Sequence, residues 1–204
     1  MLKTAVTSAQ FWSQMLELVP DSWWEDADTL IRESQPLREK AKFNTGSISR
    51  TTAVALRAIS AWRQPDIVVE IGTFIGVSAR TLARGTARFV ITCDISNDCL
   101  DTNSVIRTHP YTKSTDLLKK LAKDGGTVDL FFFDGLLSPE DAMLVRELST
   151  PDTVYVFDDF NGEFKGVHNV RKLQPLLPCH VLMSADGWVR ADTTLGVLVH
   201  EARL

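Results

Sequence analysis

The sequence predicts a doubly wound α/β domain, in which a mostly parallel β-sheet carries helices on both faces. Two observations support this prediction. From residue 67 onward, short apolar runs rich in β-branched and aromatic residues alternate with segments of helical composition. The runs are apolar throughout, which is typical of parallel strands buried on both faces. The predicted strands are residues 67–71, 89–93, 128–133, 153–157, 180–184 and 195–200. The last two, separated by a turn at Asp186-Gly187, predict an antiparallel pair at the edge of the sheet.

The helices follow from apolar spacing. Phe11, Met15, Leu16 and Val19 recur at helical intervals until Pro20 ends the pattern. A second amphipathic stretch runs from residue 21 to 42 and a third from 47 to 62. Helical composition between the strands predicts further helices at residues 78–87, 97–107, 115–123 and 139–148.

Length and composition favour a single domain, residues 1–204, of ordinary globular type. The chain is 44% hydrophobic and 24% charged. Its net charge of −4 shows no electrostatic footprint for nucleic acid. No apolar stretch approaches the ~18–20 residues of a membrane span, and residues 1–10 lack a signal-peptide core. Cys93, Cys99 and Cys179 form no CxxC pair, which favours a reducing compartment. We therefore expect a cytoplasmic protein with a small-molecule partner, no nucleic-acid or membrane partner, and a homodimer as the default assembly.

The most informative segment is a glycine turn after the first predicted strand. It carries Glu70, Gly72 and Gly76 in an ExGxxxG pattern, and a helix opens just after it. This turn is looser than the GxGxxG turn that binds a pyrophosphate, and a carboxylate would sit badly beside a phosphate. Asp94 ends the next strand, 22 residues after Gly72, where a carboxylate can bind both hydroxyls of a ribose. Either feature alone would suit a plain turn or a helix cap. Together and in this order they favour a nucleoside ligand without a phosphate.

These residues resemble a known family. Residues 70–78 and 93–99 are similar to the cofactor motifs of S-adenosylmethionine-dependent methyltransferases, above all the metal-dependent catechol and caffeoyl-coenzyme A O-methyltransferase type and its small bacterial relatives. The resemblance spans roughly residues 44–173. It implies a Rossmann-like fold with a seven-stranded sheet, a reversed last strand and an N-terminal helical cover over residues 1–45. The cofactor-binding residues that it implies are Glu70, Gly72, Thr73, Gly76, Ser78, Asp94, Ile95, Ser114, Asp116 and Asp134.

Three carboxylates follow two further strands. Asp134 ends the run 128–133, and Asp158 and Asp159 follow the run 153–157. Neighbouring parallel strands would bring them together, where they repel one another unless a cation neutralises them. Oxygen ligands favour Mg²⁺ or another hard divalent cation, and the resemblance implies a metal at these positions. The alternative is a helix cap at Asp158-Asp159 and a cofactor contact only at Asp134.

The chain departs from the family pattern at the general base. The family commonly places Lys or His two or three residues after the carboxylate that ends the fourth strand, but this chain has Leu136 and Leu137 there. Lys165 and His168 are the nearest candidates, and we assign the catalytic position to His168 as a hypothesis. The N-terminal tryptophans Trp12, Trp23 and Trp24 are expected to pack in the core rather than to contact a ligand.

The leading interpretation is an enzyme that transfers a methyl group from S-adenosylmethionine to an oxygen of a small molecule, assisted by a divalent metal. Two alternatives stay open: a methyltransferase that uses no metal, and a non-catalytic S-adenosylmethionine-binding protein with a regulatory or assembly role. A nicotinamide oxidoreductase is disfavoured because the pyrophosphate turn is absent.

Overall fold

A computed structural model describes residues 7–41, 47–85, 87–96, 103–161, 163–185 and 195–204. Its centre is a seven-stranded sheet in the order β3-β2-β1-β4-β5-β7-β6. The strands are β1 (Ile67–Ile71), β2 (Phe89–Cys93), β3 (Ile106–His109), β4 (Val128–Phe133), β5 (Ser149–Phe157), β6 (His180–Ser184) and β7 (Gly196–His200). The last strand, β7, is antiparallel to both of its neighbours, whereas β1 to β5 are mutually parallel. The predicted fold class is confirmed.

Helices cover both faces of this sheet. They are α1 (Ser8–Glu17), α2 (Asp21–Lys40), α3 (Arg50–Arg63), α4 (Val77–Arg84), α5 (Ser114–Lys123), α6 (Pro139–Glu147) and α7 (Lys165–Leu173). The alternation of side chains along β4 shows how the two cores divide. Leu130 and Phe132 pack against α1 to α4, whereas Phe131 and Phe133 pack against α5 to α7. Because both faces are buried, the strands are apolar at every position, which is the pattern seen in the sequence.

The N-terminal helices pack as the sequence predicts. Trp12 is fully buried, and Phe11 meets both Trp12 and Trp62 edge-on with ring centroids 5.5 Å apart. Arg57 lies over the Trp23 ring at 4.4 Å. These contacts hold the α1–α2 cover on α3. None of the described helices is long and apolar enough to cross a membrane.

Two elements differ from the prediction. Residues 106–109 form the edge strand β3, where a helix was predicted to run to residue 107. The start of that predicted helix, residues 97–102, and the turn at Asp186-Gly187 lie outside the described residues. Within β3 only Ile106 is buried, so the strand lacks the continuous apolar run that revealed the others. The second difference is β5, which begins at Ser149 and not at residue 153. The predicted antiparallel edge pair is formed by β6 and β7, with β6 at the edge.

Candidate functional site

The carboxyl ends of β1 and β4 lie side by side at the point where the strand order reverses. Gly72, directly after β1, has φ +93°, and a Cβ atom there would lie 2.8 Å from the Gly135 nitrogen and 2.9 Å from the Asp134 carbonyl carbon. The amides of Asp134 and Gly135 both donate to the Ile71 carbonyl, at 2.9 and 2.7 Å. Gly72 is therefore needed for the crossing of two main chains as well as for the turn itself. Open α/β sheets bind ligands in the crevice at such a switch point.

Asp94, at the end of β2, is tied to the glycine turn. Its Oδ2 accepts hydrogen bonds from the amides of Thr73 and Phe74, both at 2.8 Å, and its Oδ1 accepts from the Ser96 amide at 2.9 Å. Burial alone would raise the pKa of Asp94, but these donors outweigh it and lower the pKa below its ordinary value. The carboxylate is thus ionised at neutral pH and shapes the turn. The sequence predicted a ribose ligand for Asp94, with a helix cap as the alternative, and did not predict its hydrogen bonds to the glycine turn.

Glu70 is fully buried beneath the turn. The Thr92 hydroxyl donates to its Oε2 at 2.5 Å, and the hydroxyls of Thr73 and Thr92 also contact each other. Burial raises the pKa of Glu70 to about 8, although hydrogen bonds from Ser78 and Thr92 oppose the shift. A neutral carboxyl group at pH 7 is therefore part of the floor of the site.

The helix that follows the turn begins without a side-chain cap. Gly76, at the N-cap of α4, adopts a left-handed conformation with φ 74°, and its amide donates to the Thr73 carbonyl at 2.8 Å. Gly76 supplies no side-chain cap, and the start of a helix is a position that favours an anionic group. Ser78 lies in the first turn, where it is almost completely buried.

Three further predicted cofactor residues are placed differently from one another. Ile95 follows Asp94 and is 78% exposed, which is unusual for a large apolar side chain. The Ser114 hydroxyl donates to Asp141 at 3.0 Å and so joins α5 to the buried capping box of α6. Asp116 is exposed in the first turn of α5. The contacts of Ser114 therefore serve helix packing, whereas the Ile95 side chain faces the solvent beside the turn.

Two of the three predicted metal carboxylates contact a lysine. The Lys165 ammonium contacts Asp134 Oδ1, and it lies 3.0 Å from Asp159 Oδ2. Asp158 is buried, and its Oδ1 accepts from the Asp159 amide at 2.9 Å. Among the residues that the structure describes, no group of three His, Cys, Asp or Glu side chains is arranged to hold a metal ion.

The charges of this cluster are coupled. Burial raises the pKa of Asp134 to about 7, and repulsion from Asp158 adds to the shift while Lys165 opposes it. Burial would lower the pKa of Lys165, but Asp134 and Asp159 outweigh that effect and raise it. Lys165 is consequently a cation at neutral pH, so its amine is not free to act as a base.

The loop after Asp134 is fastened to α7 by a residue that sequence reasoning missed. Asn169 is fully buried; its Nδ2 donates to the Gly135 carbonyl at 2.8 Å and its Oδ1 accepts from the Leu137 amide at 2.9 Å. Leu137, at the family position of the general base, is itself buried in the core. An asparagine in an otherwise amphipathic helix was the available signal, since a buried amide there must find partners.

The proposed catalytic His168 stands apart from these groups. It is exposed on α7, one turn after Lys165. The structure therefore brings Lys165, and not His168, to the carboxylates at the ends of β4 and β5. The role of His168 as a base stays a prediction.

Solved structures share this fold. No model of a known protein family matches the chain, and no curated protein matches it in sequence. An O-methyltransferase from Bacillus cereus in complex with S-adenosylhomocysteine superposes with a TM-score of 0.65 at 21% identity, covering 98% of this chain and 100% of that one. TomG from Streptomyces achromogenes, an O-methyltransferase involved in tomaymycin synthesis and bound to S-adenosylmethionine, gives 0.58 at 20% identity, covering 98% and 99%. Cofactor-bound Rv0187 from MTB gives 0.64 at 18% identity, covering 85% and 90%. At these identities the likeness establishes the fold.

Proposed function

We propose that this protein is a methyltransferase that uses S-adenosylmethionine to methylate an oxygen of a small molecule. The observation that carries the proposal is the glycine turn at Gly72, held by Asp94 and followed by the uncapped start of α4. This arrangement offers a carboxylate to a ribose and free N–H groups to a carboxylate, without a pyrophosphate turn. The names of the B. cereus and S. achromogenes proteins, both O-methyltransferases crystallised with this cofactor or its product, support the same assignment.

The described residues fit the cofactor at three points. Asp94 would bind the ribose hydroxyls, the N-terminus of α4 would bind the amino-acid carboxylate, and the exposed Ile95 would pack against the adenine. A Cβ atom at Gly72 would collide with the main chain at Asp134 and Gly135, which packs against this turn. When bound, the cofactor supplies a methyl group on a positively charged sulfur, which needs no further activation by the protein beyond alignment with the acceptor.

The acceptor would lie at the ends of β4 and β5. Leu136 and Phe164 are 60% and 61% exposed, and each is close in sequence to one member of the Asp134–Lys165 ion pair. Exposed apolar side chains beside buried charges suit an apolar small molecule with a polar oxygen. The acceptor oxygen forms the new bond to the methyl carbon as the carbon–sulfur bond breaks with its electrons left on sulfur. The hydroxyl proton passes to Asp134, at Oδ2, because Lys165 occupies Oδ1.

The divalent metal predicted from the sequence does not fit the cluster as it stands. Mg²⁺ requires oxygen ligands at about 2.0–2.1 Å around one point. Here an ammonium group lies between Asp134 and Asp159, and the described residues form no three-ligand group. The proposed mechanism uses no metal ion.

A methyl-transfer assay tests the proposed function. Purified protein is incubated with S-adenosylmethionine labelled in its methyl group and a panel of phenols, hydroxylated heterocycles and aliphatic alcohols. We expect label in at least one acceptor and formation of S-adenosylhomocysteine, with the same rate in EDTA. Binding of S-adenosylhomocysteine without transfer to any acceptor would favour the non-catalytic alternative. That alternative is open because Leu137 stands at the family position of the general base.

A further inference from the structure

We propose that the ammonium group of Lys165 takes the place that a divalent cation occupies in the resembling family, so that the acidic cluster excludes metals by carrying its own cation. This inference deepens the proposed function and rests on it for its chemical meaning. The acidic cluster consists of Asp134, Asp158 and Asp159.

Lys165 stands where a cation shared by the carboxylates would stand. Lys165 Nζ contacts one oxygen of Asp134 and lies 3.0 Å from one oxygen of Asp159. These carboxylates come from the ends of two neighbouring strands, so the nitrogen stands at the point where a shared cation would stand. Two cations do not occupy one such point, since their repulsion grows steeply at short distance in a partly buried site.

The residue after Lys165 sets the position of this lysine. Gly166 follows Lys165, and a Cβ atom at Gly166 would lie 2.2 Å from the Asp158 carbonyl oxygen. The first turn of α7 therefore rests directly on the backbone of Asp158 and Asp159. Any larger residue at 166 would push α7 away and withdraw the ammonium, so the glycine and the lysine work as a pair.

The ammonium group also balances the charge of the acidic cluster. Three carboxylates close together repel one another, and an unneutralised buried carboxylate is costly. The Asp134 and Lys165 side chains are only 17% and 32% exposed. A metal entering the cluster would have to displace this ammonium and leave it beside a dication. The lysine therefore stabilises the cluster and opposes metal binding at once.

The remaining donor has a use in the reaction. An ammonium group has three N–H donors, and within the described residues two of them are directed at Asp134 and Asp159. The third is available to the acceptor oxygen. A metal can chelate two adjacent oxygens, whereas a single donor anchors one oxygen.

Metal binding with and without the lysine tests the proposal independently of any acceptor. Thermal melts of the full chain are recorded in EDTA and in millimolar Mg²⁺ or Mn²⁺. We expect the wild-type Tm to be the same in EDTA and in metal. Lys165→Ala should have a lower Tm than the wild type in EDTA, and metal should raise its Tm by several degrees, because a ligand that binds only the native state stabilises it. Adding Asp159→Asn to Lys165→Ala should abolish the response.

Two controls sharpen the result. Lys165→Arg keeps the charge, and its Tm should not respond to metal. Lys119→Ala removes a surface lysine of α5 that pairs with Glu140 at 2.7 Å, and its Tm should not respond either. Lys165→Met is the second variant should Lys165→Ala fail to fold. A wild-type Tm that rises with metal as much as the variant's, or a variant that gains no response, would overturn the proposal. Calorimetry with S-adenosylhomocysteine on the same samples shows separately whether the proposed function holds.

Discussion

The two halves of the site are built in different ways. At the ends of β1 and β2, main-chain groups organise the site: the Asp94 carboxylate accepts three amides and Gly72 crosses the backbone at Gly135. At the ends of β4 and β5, side chains organise it, because Lys165 reaches Asp134 across 31 positions of sequence. The first half therefore depends on backbone conformation, and the second depends on side-chain charge.

This difference explains which half could be predicted. A turn that depends on backbone conformation leaves a spaced glycine signature, and its partner carboxylate stands at a fixed distance along a βαβ unit. A charge cluster leaves only carboxylates at strand ends, and the sequence does not show which cation neutralises them. The comparison also implies different sensitivities: backbone changes should damage the first half most, and charge changes the second.

The largest effect is expected at Gly72. Gly72→Ala forces a side chain into a left-handed backbone and against the Gly135 nitrogen at 2.8 Å, so we expect a loss of about 3 kcal/mol in unfolding free energy. Urea denaturation measures it. Gly125→Ala is the matched control, because Gly125 also has positive φ (+70°) but no atom within 4 Å of its Cβ position. Equal losses in the two variants would mean that the main-chain crossing is unimportant.

The second largest effect is expected at Asn169. Asn169→Ala removes the hydrogen bonds to Gly135 and Leu137 and leaves the buried Leu137 amide and the part-buried Gly135 carbonyl unpaired, at a cost of about 2 kcal/mol. The loop that carries Leu136 should then loosen, and amide hydrogen exchange at Leu137 should speed up. Asn161→Ala, at an exposed asparagine, is the control. Unchanged exchange at Leu137 would show that α7 does not hold this loop.

The fold was largely predictable because each buried strand repeats the same apolar signature. The edge strand β3 was not predicted, because only one of its residues, Ile106, is buried. In the site, Gly72 and Asp94 were predictable from their spacing in the sequence. The hydrogen bonds by which Asp94 holds the glycine turn were not. The partnership of Lys165 with Asp134 depends on where α7 docks, which is set by Gly166, and no pattern in a single sequence reports that docking.

A smaller effect is expected from the pH dependence of Glu70. Burial raises its pKa from 4.5 to about 8, so between these values the native state binds more protons than the unfolded state. Stability therefore falls as pH rises through this window, and the decline ends above pH 8. Between pH 6 and 7 we expect the free energy of unfolding of the wild type to fall by about 1 kcal/mol more than that of Glu70→Gln. The exposed Glu163→Gln is the control; a pH profile of Glu70→Gln that parallels the wild type would show that Glu70 is ionised throughout.

Calorimetric titration with S-adenosylhomocysteine, alongside NAD, tests the central claim most directly. The turn has ExGxxxG spacing and not the GxGxxG spacing typical of a pyrophosphate site, so we expect S-adenosylhomocysteine to bind and NAD not to. Asp94→Ala should weaken binding by about 1.5–3 kcal/mol, the range for a hydrogen bond to a charged group. Asp124→Ala, at an exposed carboxylate beyond α5, should bind as the wild type does. Wild-type protein that binds NAD as well as S-adenosylhomocysteine, or a folded Asp94→Ala protein with undiminished affinity, would contradict the account.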